Sequence, residues 1–259
     1  GILMASTHDY IADKRNKDIL IYINGEFFYR SDAKVSVFDS GFLLGDGVWE
    51  GIRLHKNNLI HFDQHINRLY AGADAIAMKI QLNKNELKDA VRLTLEKNAM
   101  YSDTHIRLIV SSGIKSTPYQ HPKVTIGDPT IVIIPEYKKP NSEVFDIGIR
   151  LASVKTKRDN MVQDPKINSL SKMNCISACI EADRLGVDEG LMFDPNGFVS
   201  TCNSTNFFIV KKNEVWTSTG EFCLNGVTRG SVINLCKNNN IKVFEKDFLI
   251  NDVYNADEA

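Results

Sequence analysis

Three stretches of this chain carry residues that could hold an anion or a polar ligand. The first is Leu224-Asn-Gly-Val-Thr-Arg-Gly230, set between a strand-like run at 214–217 and a helix-like run at 231–238. A glycine-bearing turn that opens a helix presents unpaired backbone N–H groups and the positive end of the helix dipole, which suits an oxyanion. Thr228 would add a hydroxyl to the same anion, although an ordinary strand-to-helix turn with Thr228 as N-cap has the same sequence. The second stretch is His65-Ile-Asn-Arg-Leu-Tyr70. Arg68, on a helix and flanked by apolar positions, can offer a bidentate fork to phosphate, and a surface helix arginine would read the same way. The third is Ser204-Thr-Asn206, whose hydroxyl and amide groups either face a ligand or satisfy a turn before a strand. Amine nucleophiles are available at Lys166 and Lys172. A lysine desolvated in a pocket has a lowered pKa and becomes competent, whereas a solvated surface lysine does not.

The elements around these residues can be read from pattern. Ile19 to Ile23, then Asn24-Gly25, then Glu26 to Tyr29 spells a β-hairpin with a type I′ turn. A further strand is expected at 33–38. Three glycines at 41, 45 and 47 then imply tight bends or close backbone approach. Asp63 is expected to cap a helix to about Lys79, with Ile66, Leu69, Tyr70, Ala73, Ile76, Ala77 and Ile80 on its apolar stripe. Asn83 and Glu86 have capping-box spacing before a second helix. Strands follow at 105–110 and 130–134, and the polar run at 136–142 is the expected boundary. The second half reads as a strand at 147–154, a loop to Asp164-Pro165, a helix at 170–185, strands at 189–193, 198–200 and 207–210, and a last strand at 241–248. Helices and strands mix without regular βαβ alternation, which predicts an α+β (mixed α/β) fold.

The totals narrow the function. The chain has 259 residues, a net charge of −1, 43% hydrophobic and 24% charged residues. That balance is ordinary for a globular protein, and no field invites nucleic acid or an anionic membrane. No apolar run reaches the roughly 18 residues a membrane span needs. Residues 1–5 are too short and uncharged for a secretory signal. Five cysteines form no CxxC pair, and no histidine lies near Cys175 and Cys179. No metal site is therefore expected, and reduced thiols fit a cytoplasmic location.

Four stretches, in order, resemble one family, the class IV aminotransferases. These are pyridoxal 5′-phosphate enzymes of fold type IV, including branched-chain and D-amino-acid aminotransferases and aminodeoxychorismate lyase. The stretches are Gly45-Asp-Gly-Val-Trp-Glu-Gly-Ile-Arg53, His65 to Tyr70, Ile180-Glu-Ala182 through Asn203-Ser-Thr-Asn-Phe-Phe208, and Leu224 to Arg229. The resemblance spans about residue 21 to residue 259. It implies two domains, an N-terminal α/β domain over 1–136 and a barrel-like domain over 144–259, joined by a linker at 137–143. It also implies a homodimer, with an amino acid and a 2-oxo acid as substrates. By position, Arg68 matches the arginine that grips the cofactor phosphate, and Val227 and Thr228 match the turn that binds it too. Leu224 matches the residue that packs on the pyridine ring, and Ser204, Thr205 and Asn206 match the polar run beneath it. Arg107 resembles the branched-chain pattern near the substrate carboxylate, and Trp49 stands where the family has Phe or Tyr.

The sequence departs from the family at two central positions. Asn168 aligns with the lysine that carries the cofactor, and an asparagine can neither form an imine nor shuttle the proton. Thr201 aligns with the glutamate that pairs with the pyridine nitrogen. A neutral ring beside Thr201 would favour a lyase-type elimination over transamination. Either another lysine substitutes or the chain is a non-catalytic relative that keeps the phosphate site. Lys172 lies i+4 from Asn168, about 6 Å further along a continuous helix. Lys166 lies i−2, on the same side if the backbone is extended. The stretch 251–259 resembles the family's last helix before a phosphate- and carboxylate-binding loop, so the sequence is expected to stop short of that loop.

Overall fold

A computed structural model describes residues 12–259, and the expectation for residues 1–5 lies outside them. By internal contacts the chain divides into two compact units. Among the described residues, one holds 12–140 together with Asn168–Ser171; the other holds Asn141–Ile167 and Lys172–Ala259.

In the first unit the Asn24-Gly25 turn joins β1 (Leu20–Ile23) to β2 (Glu26–Tyr29), with both turn residues at positive φ as a type I′ hairpin requires. The hairpin extends a six-stranded antiparallel sheet completed by β3 (Gly47–His55), β4 (Asn58–Leu59), β5 (Thr104–Ser111) and β6 (Thr130–Tyr137), in the order β2-β1-β6-β5-β3-β4. Alternation buries Val48, Ile52 and Leu54 of β3 and Ile106, Leu108 and Val110 of β5. Against this sheet pack α2 (Phe62–Ala75), through Ile66, Leu69 and Ala73, and α3 (Lys84–Lys97), through Leu87, Val91 and Leu95. The Asn83/Glu86 capping box forms as the spacing predicts.

The glycines after residue 40 act as expected. Asp39 caps the short α1 (Ser40–Leu44), and Gly45 ends it at φ +66. A Cβ on Gly47 would lie 2.5 Å from the Val110 carbonyl oxygen, so only glycine lets β3 start so close to β5.

Four expectations fail for physical reasons. Residues 33–38 form no strand: Val35, Val37 and Phe38 stay exposed, and a strand with no face to bury gains nothing from β propensity. The first long helix is preceded by His61 rather than capped by Asp63, which instead pairs with Lys88 at 2.5 Å. It stops at Ala75 because Ala77 turns left-handed at φ 56, ahead of the buried Met78 and Ile80. The strand expected at 147–154 is divided into α4 (Glu143–Ile147) and a shorter β7 (Leu151–Ser153). The helix expected from 170 starts three residues later, as α5 (Met173–Arg184). Its would-be first turn is diverted onto β3: Trp49 N donates to Asn168 O, Leu170 N donates to Gly47 O, and Val48 bridges Ser169.

The second unit holds two three-stranded sheets. In one, β7 runs parallel to β8 (Glu189–Phe193), which pairs antiparallel with β9 (Val199–Cys202). In the other, β10 (Phe208–Lys211) pairs antiparallel with β11 (Glu214–Thr217), and β12 (Lys242–Glu245) runs parallel to β11 after the crossover helix α6 (Val227–Asn238). Leu191, Phe193, Val199, Cys202, Phe207, Ile209 and Phe248 form one buried cluster across these strands. The short α7 (Ile250–Tyr254) adds Ile250 and Val253 to its edge.

Candidate active site

Arg68 projects from α2 onto a buried carboxylate. Its Nε and Nη2 donate to Oε1 and Oε2 of Glu50, each at 2.6 Å, and His65 Nδ1 lies 2.7 Å from the same Oε2. His65 and Arg68 are i, i+3 on one helix face, so both reach one residue of β3. Glu50 is wholly buried, in phase with Val48, Ile52 and Leu54. A bidentate guanidinium–carboxylate pair is what makes that burial tolerable. One donor is left over: Nη1 of Arg68 is buried and has no hydrogen-bond partner. An orphaned buried donor costs about 1–3 kcal/mol unless a ligand accepts from it.

Trp49 and Arg107 come together on the exposed side of the same sheet, with the guanidinium carbon 3.8 Å from the indole centroid. The register explains the pair: β5 runs antiparallel to β3 with Trp49 opposite Ile109 and Gly51 opposite Arg107, so the two side chains are diagonal neighbours on one face. Asn168 is buried at 6% exposure, and its side-chain amide donates to Trp49 O at 2.8 Å. A cleft of 510 Å³ elsewhere in this unit, beside Phe62, Arg92 and Tyr101, holds none of the expected residues.

In the second unit the polar run is committed to a neighbour. Ser204 Oγ donates to Glu189 Oε1 at 2.5 Å and Thr205 Oγ1 to Glu189 Oε2 at 2.9 Å. Glu189 is 1% exposed and in phase with Leu191 and Phe193 of β8. Thr201 Oγ1 donates to Thr205 O at 2.8 Å, so toward a ring nitrogen it could only accept. Burial, with Glu189 nearby, pushes the Cys202 thiol up to about 12. Leu224 and Asn206 flank the turn into α6, and Asn206 Nδ2 reaches Leu224 O at 3.5 Å. Gly226, rather than Thr228, is the N-cap; no side chain caps this helix, and its first bond runs from Gly230 N to Gly226 O. Val227 and Thr228 thus present first-turn N–H groups.

The two lysines differ. Lys166 is solvent-exposed and donates to Glu221 at 3.0 Å, a contact that raises its pKa and keeps the amine protonated. Lys172 is half-buried at the residue preceding α5. Because residues 168–170 are extended rather than helical, Asn168 and Lys172 do not share a helix face, and the i+4 argument for Lys172 fails.

A family model, amino-transferase class IV, matches residues 47–259. The chain belongs to the class IV aminotransferases. Among its relatives in this family, branched-chain-amino-acid aminotransferase-like protein 2 of Arabidopsis thaliana is 36% identical over 94% of the chain, and the chain spans 44% of that relative's length. The branched-chain aminotransferase of Thermoproteus uzoniensis, solved with norvaline, superposes with a TM-score of 0.83 at 26% identity, covering 93% of this chain and 82% of that one. The T.th. branched-chain amino acid aminotransferase, solved with pyridoxamine 5′-phosphate, gives a TM-score of 0.84 at 26% identity over 93% and 80% of the two chains. For a class IV aminotransferase the cofactor is pyridoxal phosphate, and the residues present fit part of it. In the first unit the unpartnered Nη1 of Arg68 is a donor that suits a phosphate oxygen, and in the second unit the uncapped start of α6 presents free first-turn N–H groups. The Asn168 side chain is an amide tied to Trp49, which offers no amine to an aldehyde.

Sequence reasoning missed Glu50, His65 and Glu189. Both acids carried a signal, since each sits in the apolar phase of its strand, where a carboxylate needs donors. Among the described residues no helix is long and apolar enough to cross a membrane, and no cluster of His, Cys, Asp or Glu is arranged to hold a metal.

Proposed function

We propose that this chain is a pyridoxal-phosphate-dependent aminotransferase that moves an amino group between a branched-chain-type amino acid and a 2-oxo acid, as a cytoplasmic homodimer with domains over 1–136 and 144–259. The observation that carries the reading is the buried, unpartnered Nη1 of Arg68 in a chain of this family. When bound, the cofactor supplies an aldehyde that condenses with amines and a ring that accepts electrons. Arg68 and the N–H groups of Val227 and Thr228 would hold its phosphate, Leu224 would pack on its ring, and Thr201, Ser204, Thr205 and Asn206 would line it. Trp49 and Arg107 would orient the substrate carboxylate. Lys172 is the amine proposed to bond the cofactor and move the proton, because it is half-buried whereas Lys166 is exposed and bonded to Glu221.

The test is borohydride reduction of the protein loaded with pyridoxal phosphate, followed by peptide mapping. The expected result is a label on Lys172, and Lys172→Ala should remove the label and lower kcat about a thousandfold. Bound cofactor with no labelled lysine would overturn catalysis in favour of a second reading, a relative that holds the cofactor without a covalent bond. The Asn168 amide bonded to Trp49 favours that reading.

A further inference from the structure

Glu50 accepts from three donors while sitting at 0% exposure: Nε and Nη2 of Arg68 and Nδ1 of His65. The arrangement consumes one edge of the guanidinium, Nε with Nη2, and leaves Nη1 buried without a partner. If the cluster served only to bury a charge pair, a side chain or backbone oxygen would be expected at Nη1 as well. We infer that Glu50 and His65 are positioning residues for a phosphate site on Arg68. The carboxylate fork fixes the guanidinium plane, His65 fixes the carboxylate, and Nη1 is the donor kept for a phosphate oxygen. This rests on the reading of Arg68 as the residue that holds the cofactor phosphate.

Two effects of Glu50 oppose each other. Its negative charge offsets that of Arg68 and by itself weakens the pull on a phosphate dianion. Its fork geometry holds the guanidinium in one orientation and by itself strengthens binding, because ordering is already complete before the ligand arrives. Glu50→Gln separates the two. Glutamine loses the charge and turns one acceptor into an NH2 group that faces a donor, so the fork breaks. A residue that is only a counter-charge would give tighter phosphate binding when neutralised; a positioning residue gives weaker binding.

The experiment is a fluorescence-quench titration with pyridoxal phosphate and with pyridoxal, which lacks the phosphate, using inorganic phosphate as competitor. The ratio of the two affinities isolates the phosphate, and a merely structural role would lower both affinities together. Wild type should prefer pyridoxal phosphate about 100-fold, and Glu50→Gln should cut that preference about tenfold with pyridoxal binding unchanged. Preference equal to or above wild type in Glu50→Gln overturns the inference. Should that variant not fold, His65→Ala, at a side chain 13% exposed, should cut the preference about threefold, and an unchanged ratio overturns it equally. A wild type that binds the two vitamers alike would instead overturn the phosphate reading of Arg68 itself.

Discussion

The Arg68 cluster and the Ser204-Thr205 run treat a buried carboxylate in opposite ways. Glu50 takes two N–H groups from one edge of Arg68 and leaves its Nη1 unpartnered. Glu189 takes the single proton of Ser204 and the single proton of Thr205 and leaves those hydroxyls only acceptor capacity. The difference lies in donor count. A guanidinium has five N–H groups, so it can be anchored and still bind; a hydroxyl has one, so anchoring it ends its use as a donor. The first cluster therefore keeps a donor in reserve, and the second has spent its hydroxyl protons on the carboxylate.

That contrast can be broken at several points. The largest effect is expected from Asn168→Lys, which exchanges a bonded amide for an amine. Borohydride-trapped cofactor should move from Lys172 to residue 168, and mapping the label checks it. A label that stays on Lys172 would mean the Trp49-bonded segment does not present its side chain to the cofactor. A smaller effect is expected from Glu189→Gln. Losing an acceptor for Ser204 or Thr205 should destabilise the fold by about 1–3 kcal/mol in urea, with little change in phosphate binding. A loss of phosphate preference instead would mean that the Glu189 bonds also order the phosphate site. The smallest is Lys166→Ala. Both partners of that pair are exposed, so stability and cofactor labelling should stay as in wild type; loss of the label would place the reactive amine at 166.

Much of the scaffold was legible because it follows from local chemistry. The Asn24-Gly25 turn, the Asn83/Glu86 box and the strand at 189–193 need only nearby residues to form. Gly47 was legible for another reason: its residue type alone announces a close approach, here to the Val110 carbonyl. Illegible were the outcomes that depend on a distant partner. Residue 170 reads as the start of a helix, yet the backbone of 168–170 pairs with β3. Val35, Val37 and Phe38 read as a strand, yet no strand pairs with them along their length.

For the site, the sequence by itself determined the chemical inventory: an arginine on a helix, a glycine turn before α6, an asparagine at 168 and a threonine at 201. Residue type and order survive any packing, so they could be read directly. Only the tertiary structure decided which groups are spent. Glu50 and His65 are distant from each other in sequence, and Glu189 is 15 residues from Ser204. Hydrogen-bond capacity is allotted by neighbours in space, and a donor's availability is what remains after that allotment.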